Sequence, residues 1–273
     1  MSEFERLFSL WLMDILLVFA VQYLSHQCDY SDRKPSLNEL IDILLKIVLL
    51  LVKLIMSNLA KDDWSAEDRV QRMVRRYPLS YHDLFWVTLQ RLVGSKQKDV
   101  IADFGCGPGL LLVDLVKKYH AKYVYGFDES EAMLKQAARF LSETISDEQF
   151  TLQRINFDES QVMLESDAID LAFAGHMFHE IADPGNLASQ VFTALKQGGQ
   201  FAILDYISGN PDGFIRKMVG SGMDEKHARA RYPHMCKHSV DDLTEFLSNA
   251  GFSNIVFEKI DEASRAVVVG IKR

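Results

Sequence analysis

The sequence predicts an α/β fold built on a parallel sheet and preceded by an all-helical region. Two observations predict it. After Lys98, short apolar runs alternate with helical patterns, which is typical of right-handed βαβ units in a sheet covered on both faces. Before that point the patterns are helical and include two long apolar runs, residues 7–24 and 41–56. We therefore expect a helical region over residues 1–93 and an α/β domain over residues 94–273.

Composition excludes several classes of protein. The chain has 273 residues, of which 48% are hydrophobic and 25% charged, so it is neither disordered nor collagen-like. A net charge of −8 disfavours non-specific nucleic-acid binding, which needs Lys and Arg to replace phosphate counterions. Three widely separated cysteines argue against a secreted disulfide scaffold. We expect a cytoplasmic protein.

Charges within the two apolar runs argue against a signal peptide or a membrane span. The first run contains Asp14 and follows an SEFER start, and in the second Asp42, Lys46 and Lys53 lie on one helical stripe. A charge at the centre of a spanning helix costs roughly 2.5–3.5 kcal/mol. We expect soluble helices that pack together, cover the domain that follows, or form a homodimer interface. A membrane-surface anchor and a true span are the alternatives.

Two further helices complete the helical region. Ser65 and Asp68 resemble a capping box and predict a helix that stops before Pro78. Ser80 and Asp83 repeat the start signal for a helix that runs to Leu92.

The α/β part contains five candidate strands with helices between them. Each strand is a short apolar run, and each helix has apolar residues three and four positions apart. The expected strands are Val100–Phe104, Tyr123–Phe127, Thr151–Phe157, Leu171–Ala174 and Phe201–Leu204, and the helices are Leu110–Tyr119, Ala132–Thr144 and Asn186–Leu195. A helix over Ser239–Ala250 then precedes an antiparallel hairpin, Ile255–Ile260 with Ala266–Lys272.

A glycine-rich turn follows the first strand, in the stretch VIADFGCGPGLLL. Alternate glycines let a ligand approach the main chain, but the spacing is G-x-G-x-G rather than the dinucleotide pattern G-x-G-x-x-G. Asp103 would repel a pyrophosphate and suits an ammonium or sulfonium group. Asp128 ends the next strand, where an acceptor for ribose hydroxyls is expected. The two acids favour a nucleoside that carries positive charge.

Five segments in order resemble the class I S-adenosylmethionine-dependent methyltransferases: DFGCGPG, FDES with Met133, INFDE, DLAFAGHMFHEIADP and LKQGGQFAILDY. The resemblance spans about Lys98 to Lys272 and implies a Rossmann-like, doubly wound seven-stranded sheet of order 3-2-1-4-5-7-6. It implies S-adenosyl-L-methionine as cofactor. The implied cofactor-binding residues are Asp103, Gly105, Cys106, Gly107, Gly109, Asp128, Glu129, Met133, Asn156, Phe157 and Ala174, with Asp158 as a one-register alternative for the adenine contact.

The candidate catalytic residues are His176, His179 and Glu180, which follow the fourth strand in GHMFHE. A doubly wound sheet places its crevice at the carboxyl ends of the strands. His179 could be a general base, oriented by Glu180 or Asp183. Methyl transfer is an in-line displacement, so a base helps only when the acceptor carries a proton. In the structural alternative, this loop caps the next helix and packs.

Residues 207–238 form a glycine-rich insertion that we interpret as a substrate lid. From Arg216 to Lys237 it has six basic and two acidic residues, a local charge of +4 that could steer an anionic acceptor. A solvated helical face is the alternative. His234, Cys236 and His238 stand at alternate positions, but the spacings of structural zinc sites are absent. We expect no metal site.

Together these features predict methyl transfer from S-adenosyl-L-methionine to a small, lipophilic or acidic molecule such as a quinone, phenol, polyketide or other natural product. The alternative is a protein of this fold that binds S-adenosylmethionine and has a non-methylating or regulatory role. A nucleic-acid methyltransferase is disfavoured, because AGHMF stands where an N/D-P-P-Y/F/W motif would be needed.

Overall fold

The computed structural model describes Lys46, residues 67–260 and residues 264–273. The apolar runs at residues 7–24 and 41–56, and with them the expected packing, dimer or membrane role of these helices, lie outside the described residues, apart from Lys46, which is helical and exposed. In the described part of the chain, no helix is both long and apolar enough to cross a bilayer.

The predicted sheet order is confirmed. The seven strands lie side by side in the order β3-β2-β1-β4-β5-β7-β6. β1 to β5 are parallel, and β7 runs antiparallel to both β5 and β6. The strands are β1 (Val100–Phe104), β2 (Tyr123–Asp128), β3 (Phe150–Arg154), β4 (Ile169–Gly175), β5 (Leu195–Tyr206), β6 (Ser253–Lys259) and β7 (Arg265–Ile271). The fold class is therefore the Rossmann-like α/β architecture that the sequence predicted.

Helices cover both faces of the sheet. They are α1 (Glu67–Ser80), α2 (Asp83–Val93), α3 (Leu110–Tyr119), α4 (Glu131–Ser142), α5 (Pro184–Ala194), α6 (Pro211–Gly220), α7 (Glu225–Met235) and α8 (Val240–Asn249). Successive strand residues face opposite cores: Ile101 packs with α2, α3 and α4, whereas Ala102 packs with α5 and α8. Because both faces are buried, the central strands have continuous apolar runs instead of an alternating pattern.

Helices α1 and α2 belong to the same compact unit as the sheet, Asp63–Arg273. Phe85, Leu89 and Val93 recur every four residues along α2, and all three are buried. The ring centroid of Phe85 lies 6.0 Å from that of Phe173 in β4. Arg265, only 2% exposed, donates from Nη1 to the carbonyl oxygen of Ser80 over 2.8 Å. The expected functional division at residue 93 stays a prediction, since most of the region before it lies outside the described residues.

Several elements differ from the prediction, among them β5, which is longer at both ends than the expected Phe201–Leu204. Helix α1 continues through Pro78 to Ser80, because a proline in the last turn removes only one hydrogen bond and the turn closes by Tyr81 N donating to Tyr77 O. Strand β3 ends at Arg154 rather than Phe157, so the next residues form a loop at the sheet edge. Within the lid, residues 207–238, the chain forms the two helices α6 and α7.

Candidate active site

The turn between β1 and α3 is fixed by hydrogen bonds from its backbone N–H groups to the end of β2. The N–H groups of Gly105 and Cys106 both donate to Phe127 O, over 2.8 and 2.9 Å. Gly107 N donates to Asp128 Oδ2 over 2.8 Å. Gly109 begins α3 with a φ of 81°, and a Cβ there would lie 2.6 Å from the Cβ of Ala137. A bulkier residue at Gly109 would therefore push α4 away from the turn.

Asp103 and Asp128 give this turn its electrostatic character. Asp103 is 2% exposed, and its Oδ1 accepts no hydrogen bond from the described residues. Burial, together with the charge of Asp128, raises the pKa of Asp103 well above its usual range. Burial also raises the pKa of Asp128 to about 6, although hydrogen bonds from Ser130 N and Gly107 N oppose the shift. Both carboxylates would be stabilised by a ligand that brings positive charge and hydroxyl donors.

These observations test whether the residues fit S-adenosyl-L-methionine. The buried, unsatisfied oxygen of Asp103 suits an ammonium group, and the carboxylate of Asp128 suits two ribose hydroxyls. Gly105, Gly107 and Gly109 all have positive φ, which glycine adopts without steric cost, and their lack of side chains lets a ligand approach the main chain of the turn. The residues present therefore fit the cofactor that the sequence predicted.

The other predicted cofactor residues surround the same turn. Cys106 is buried, and its Sγ lies 3.7 Å from Gly107 O. Burial raises the pKa of this thiol well above its usual range, so the side chain fills space. Glu129 is exposed, and its carbonyl accepts from Arg154 Nε over 2.9 Å. Met133 is 1% exposed in the first turn of α4.

The residues predicted to contact the adenine lie in the loop that follows β3. Asn156 Oδ1 accepts from the N–H of Asp158, which makes a local turn. The ring of Phe157 lies 6.4 Å from that of Phe104. Asp158 Oδ1 accepts from Ala182 N over 2.7 Å and so ties this loop to the segment after β4. Ala174 is buried in β4, in register with Phe104.

His179 is buried between two carboxylates. Its Nδ1 lies 2.7 Å from Asp205 Oδ1, and its Nε2 lies 3.3 Å from Glu180 Oε1. Burial alone would lower the pKa of His179, but Asp205 and Glu180 outweigh it and raise the pKa to about 9. At neutral pH without a further ligand, the ring is therefore protonated and has no lone pair to accept a proton.

Glu180 joins His179 to the lid. Its Oε2 lies 3.2 Å from Nε2 of His234 in α7. Although burial opposes it, hydrogen bonds from the two histidines hold the pKa of Glu180 well below its usual range. In the sequence, His234 was considered only together with Cys236 and His238, as a possible metal ligand. Cys236 instead packs in the lid's apolar cluster, and the ring of His238 lies 5.2 Å from that of Phe246.

His176 has left-handed backbone geometry at the end of β4, with a φ of 57°. Its N–H donates to Leu204 O over 2.7 Å, which fixes the turn against β5. The His176 ring centroid lies 6.1 Å from that of Tyr81 and 5.0 Å from that of Tyr206, and the Tyr206 centroid lies 5.6 Å from that of Phe214 in the lid. We call Tyr81, His176, Tyr206 and Phe214 the aromatic row.

Tyr81 places one end of the aromatic row beside the cofactor turn. A Cβ on Gly175 would collide with the Tyr81 hydroxyl, so glycine is required where they meet. Burial, and then the charge of Asp103, raises the pKa of the Tyr81 phenol above its usual range. Sequence reasoning missed Tyr81, Tyr206 and Asp205, because their roles depend on contacts between distant segments. The aromatic pair in YPLSYHD, Tyr77 and Tyr81, was the available signal.

The basic residues of the lid have different partners. Arg229 Nη2 lies 2.7 Å from Glu225 Oε1 on the exposed face of α7. Lys237 Nζ donates to the carbonyl oxygen of Ile181. Lys217 Nζ lies 6.0 Å from the ring centroid of Tyr206, beside the aromatic row. Of these three residues, Lys217 is the one that brings positive charge to the row.

Comparisons with known proteins agree with this geometry. A family model described as a methyltransferase domain matches residues 80–256. The chain is 22% identical to the demethylmenaquinone methyltransferase of Lactobacillus johnsonii, over 65% of this chain and 78% of that one. It is 25% identical to the trans-aconitate 2-methyltransferase of Deinococcus radiodurans, over 42% of this chain and 41% of that protein, less than half the relative's length. A crystal structure of a SAM-dependent methyltransferase from Aquifex aeolicus superposes with a TM-score of 0.57 at 18% identity, covering 76% of this chain and 98% of that chain.

Proposed function

The chain belongs to the methyltransferase domain family as an S-adenosyl-L-methionine-dependent methyltransferase, and from that premise we propose that its acceptor is a small aromatic or acidic molecule bound along the aromatic row. The continuity of the row carries this proposal. Its ring centroids are separated by 5.0–6.1 Å, within the range of about 4.5–7 Å for aromatic contacts. A planar acceptor could pack against Tyr81, His176 and Tyr206, which are partly exposed, whereas the buried Phe214 would support Tyr206 from the lid.

Positive charge beside the row favours an acceptor with an acidic oxygen, such as a phenol or a carboxylate. Lys217 lies next to Tyr206, and a cation in a partly desolvated site attracts an anion more strongly than one in bulk water. Two relatives, named for demethylmenaquinone and trans-aconitate, are consistent with such acceptors. Phenols, acidic polyketides and other acidic natural products fall within this class, and a quinone does so in its reduced, phenolic form.

The residues of the turn would hold the cofactor, which supplies an electrophilic methyl group on a positively charged sulfur. We propose that Asp103 pairs with its ammonium group and that Asp128 accepts hydrogen bonds from its ribose hydroxyls. Gly105, Gly107 and Gly109 allow the close approach of the backbone. Asn156 and Phe157 would contact the adenine from the loop after β3.

On the acceptor side, we propose different roles for the two histidines. The ring of His176 lies in the aromatic row and would contact the acceptor, so it is the candidate catalytic residue. His179 and Glu180 would act as positioning residues: Asp205 holds both the backbone N–H and the ring of His179, which fixes the loop that bears His176. Much of the rate would come from alignment for in-line displacement, and the acceptor's acidity would make a strong base unnecessary.

The region before residue 93 would help to enclose this site. A Cβ on Gly107 would lie 3.6 Å from Met73 Cε, so α1 passes over the cofactor turn. We propose that this region caps the active site, and we retain a homodimer interface and a cytoplasmic location as predictions.

Transfer of a labelled methyl group to a panel of phenols and carboxylates tests the proposed function. Once an acceptor is identified, Y206L should raise its KM about fivefold, because the ring contact is worth roughly 1 kcal/mol. Y206F keeps the ring and is the matched control. The dissociation constant of S-adenosylhomocysteine should stay the same in both variants. Equal KM values for Y206L and Y206F would exclude the row as the acceptor site, and labelled product from none of the panel or a cell extract would favour the non-methylating alternative.

A further inference from the structure

We propose that His179, Glu180 and His234 form a site for a divalent transition-metal ion that joins the lid helix α7 to the loop after β4. Each of the three residues offers a ligand atom, and these atoms all lie within 4.8 Å of one another. Two of the residues are consecutive, and the third lies 54 residues further along the chain. The fold therefore brings together a set of ligands that no sequence spacing reveals.

Each histidine faces its own oxygen of the Glu180 carboxylate. Glu180 Oε1 lies 3.3 Å from His179 Nε2, and Glu180 Oε2 lies 3.2 Å from His234 Nε2. Ligand atoms bound tetrahedrally at about 2.0–2.1 Å from an ion are themselves about 3.3–3.4 Å apart. Because the three ligand atoms lie within 4.8 Å of one another, an ion would draw the most distant of them together by at most about 1.5 Å.

Asp205 is an independent observation that points to a metal ligand. Its Oδ1 lies 2.7 Å from His179 Nδ1, and its Oδ2 accepts from the backbone N–H of His179. Because this carboxylate accepts the Nδ1 proton, loss of the second ring proton on metal binding would leave the Nε2 lone pair directed toward Glu180. Metal-bound histidines are commonly oriented by a carboxylate in this way. The three ligand side chains are 2%, 20% and 32% exposed, so the ligand set runs from the protein interior to the surface, which gives an ion a path of entry.

The donor set indicates the class of ion. Two imidazole nitrogens and one carboxylate suit Zn²⁺, Co²⁺ or Fe²⁺ better than Mg²⁺ or Ca²⁺, which prefer oxygen ligands. Three protein ligands leave a position for water or another oxygen ligand, as in catalytic rather than structural zinc sites. Binding would displace the proton held by the cluster, since a metal-bound imidazole must be deprotonated at the ligand atom. The ion would hold α7 next to the aromatic row.

A titration of the untagged, metal-stripped full chain with Co²⁺ tests the site, with no cofactor or acceptor present. The wild type should bind one equivalent and show the visible absorption of low-coordinate Co²⁺, and Zn²⁺ should abolish that absorption. H234A should weaken Co²⁺ binding at least tenfold. The matched control is H227A, an exposed histidine on the same helix that pairs with Asp224 and should bind as the wild type does.

Two results would overturn the site: no stoichiometric Co²⁺ absorption by the wild type, or equal affinities for H234A and H227A. Because His234 is partly exposed, thermal unfolding of H234A should resemble that of H227A, and E180Q gives a second variant that keeps the shape of the ligand. The measurement needs no methyl acceptor, so its failure would leave the proposed acceptor class intact.

Discussion

The cofactor side and the acceptor side of the crevice are built in different ways. The cofactor side consists of two consecutive strand ends and one turn. The N–H of Gly105 donates to Phe127 O and that of Gly107 donates to the Asp128 carboxylate. The acceptor side combines Tyr81, His176, Tyr206 and the lid, whose contacts join segments far apart in the sequence. A local turn tolerates few changes, whereas a surface assembled from several segments can change its specificity one side chain at a time.

The largest effect should come from replacing Gly109. G109A adds a Cβ that would lie 2.6 Å from that of Ala137 at a φ of 81°, whereas G209A adds one at a φ of 111° with nothing within 4 Å. In both variants a side chain at a positive φ costs roughly 1–2 kcal/mol of stability. Only G109A also loses stability through the clash with Ala137. We expect the free energy of unfolding to fall by about 3–5 kcal/mol in G109A. Urea denaturation compares the two, and equal losses would show that packing at the turn is unimportant.

Asp103 should show opposite effects on cofactor affinity and on stability. D103N removes the charge that would pair with the cofactor ammonium, and we expect affinity for S-adenosylmethionine to fall about 10–100-fold. Without ligand, D103N should be more stable than the wild type, because burial of that charge is costly. Calorimetric titration and thermal unfolding measure the two effects. Unchanged affinity would place the ammonium group elsewhere.

The pH dependence of cofactor binding should follow Asp128. Its pKa of about 6 in the free protein means that the carboxylate form, which accepts ribose hydroxyls, is lost as the pH falls through 6. Affinity for S-adenosylhomocysteine should therefore be highest above that pH and drop about tenfold at one unit below it. Calorimetric titration across this pH range should find that the affinity of D128N changes less steeply with pH, because an asparagine at this position cannot titrate. If affinity depends on pH equally steeply in the wild type and D128N, a group other than Asp128 causes the dependence.

The sequence predicted the cofactor side better than the acceptor side, because the first is built from neighbouring segments and the second from distant ones. The glycine turn and both acids follow from local patterns, because strand ends and turns are set by neighbours in the chain, whereas the strand order was implied by the resemblance to class I methyltransferases. The contact of His179 with Glu180 was predicted, but those with Asp205 and His234 were missed because these residues come from other elements. The continuation of α1 past Pro78 was missed because a proline in the last turn removes only one backbone hydrogen bond, and the turn still closes from Tyr81 N to Tyr77 O. The helices predicted before residue 67 lie outside the described residues.

The smallest expected effect is the change in KM when a charge of the lid is removed. It tests whether these charges steer the acceptor. K217M removes a cation beside Tyr206, whereas R229M removes one that is already paired with Glu225 in solvent. For an anionic acceptor, K217M should raise KM about threefold, and R229M should change it little, because an exposed ion pair contributes roughly 0–1 kcal/mol and is screened by salt. A neutral acceptor of the same shape should respond to neither variant. If the two variants raise KM equally and added salt cancels both effects, the lid acts through its overall charge, and the acceptor makes no specific contact with Lys217.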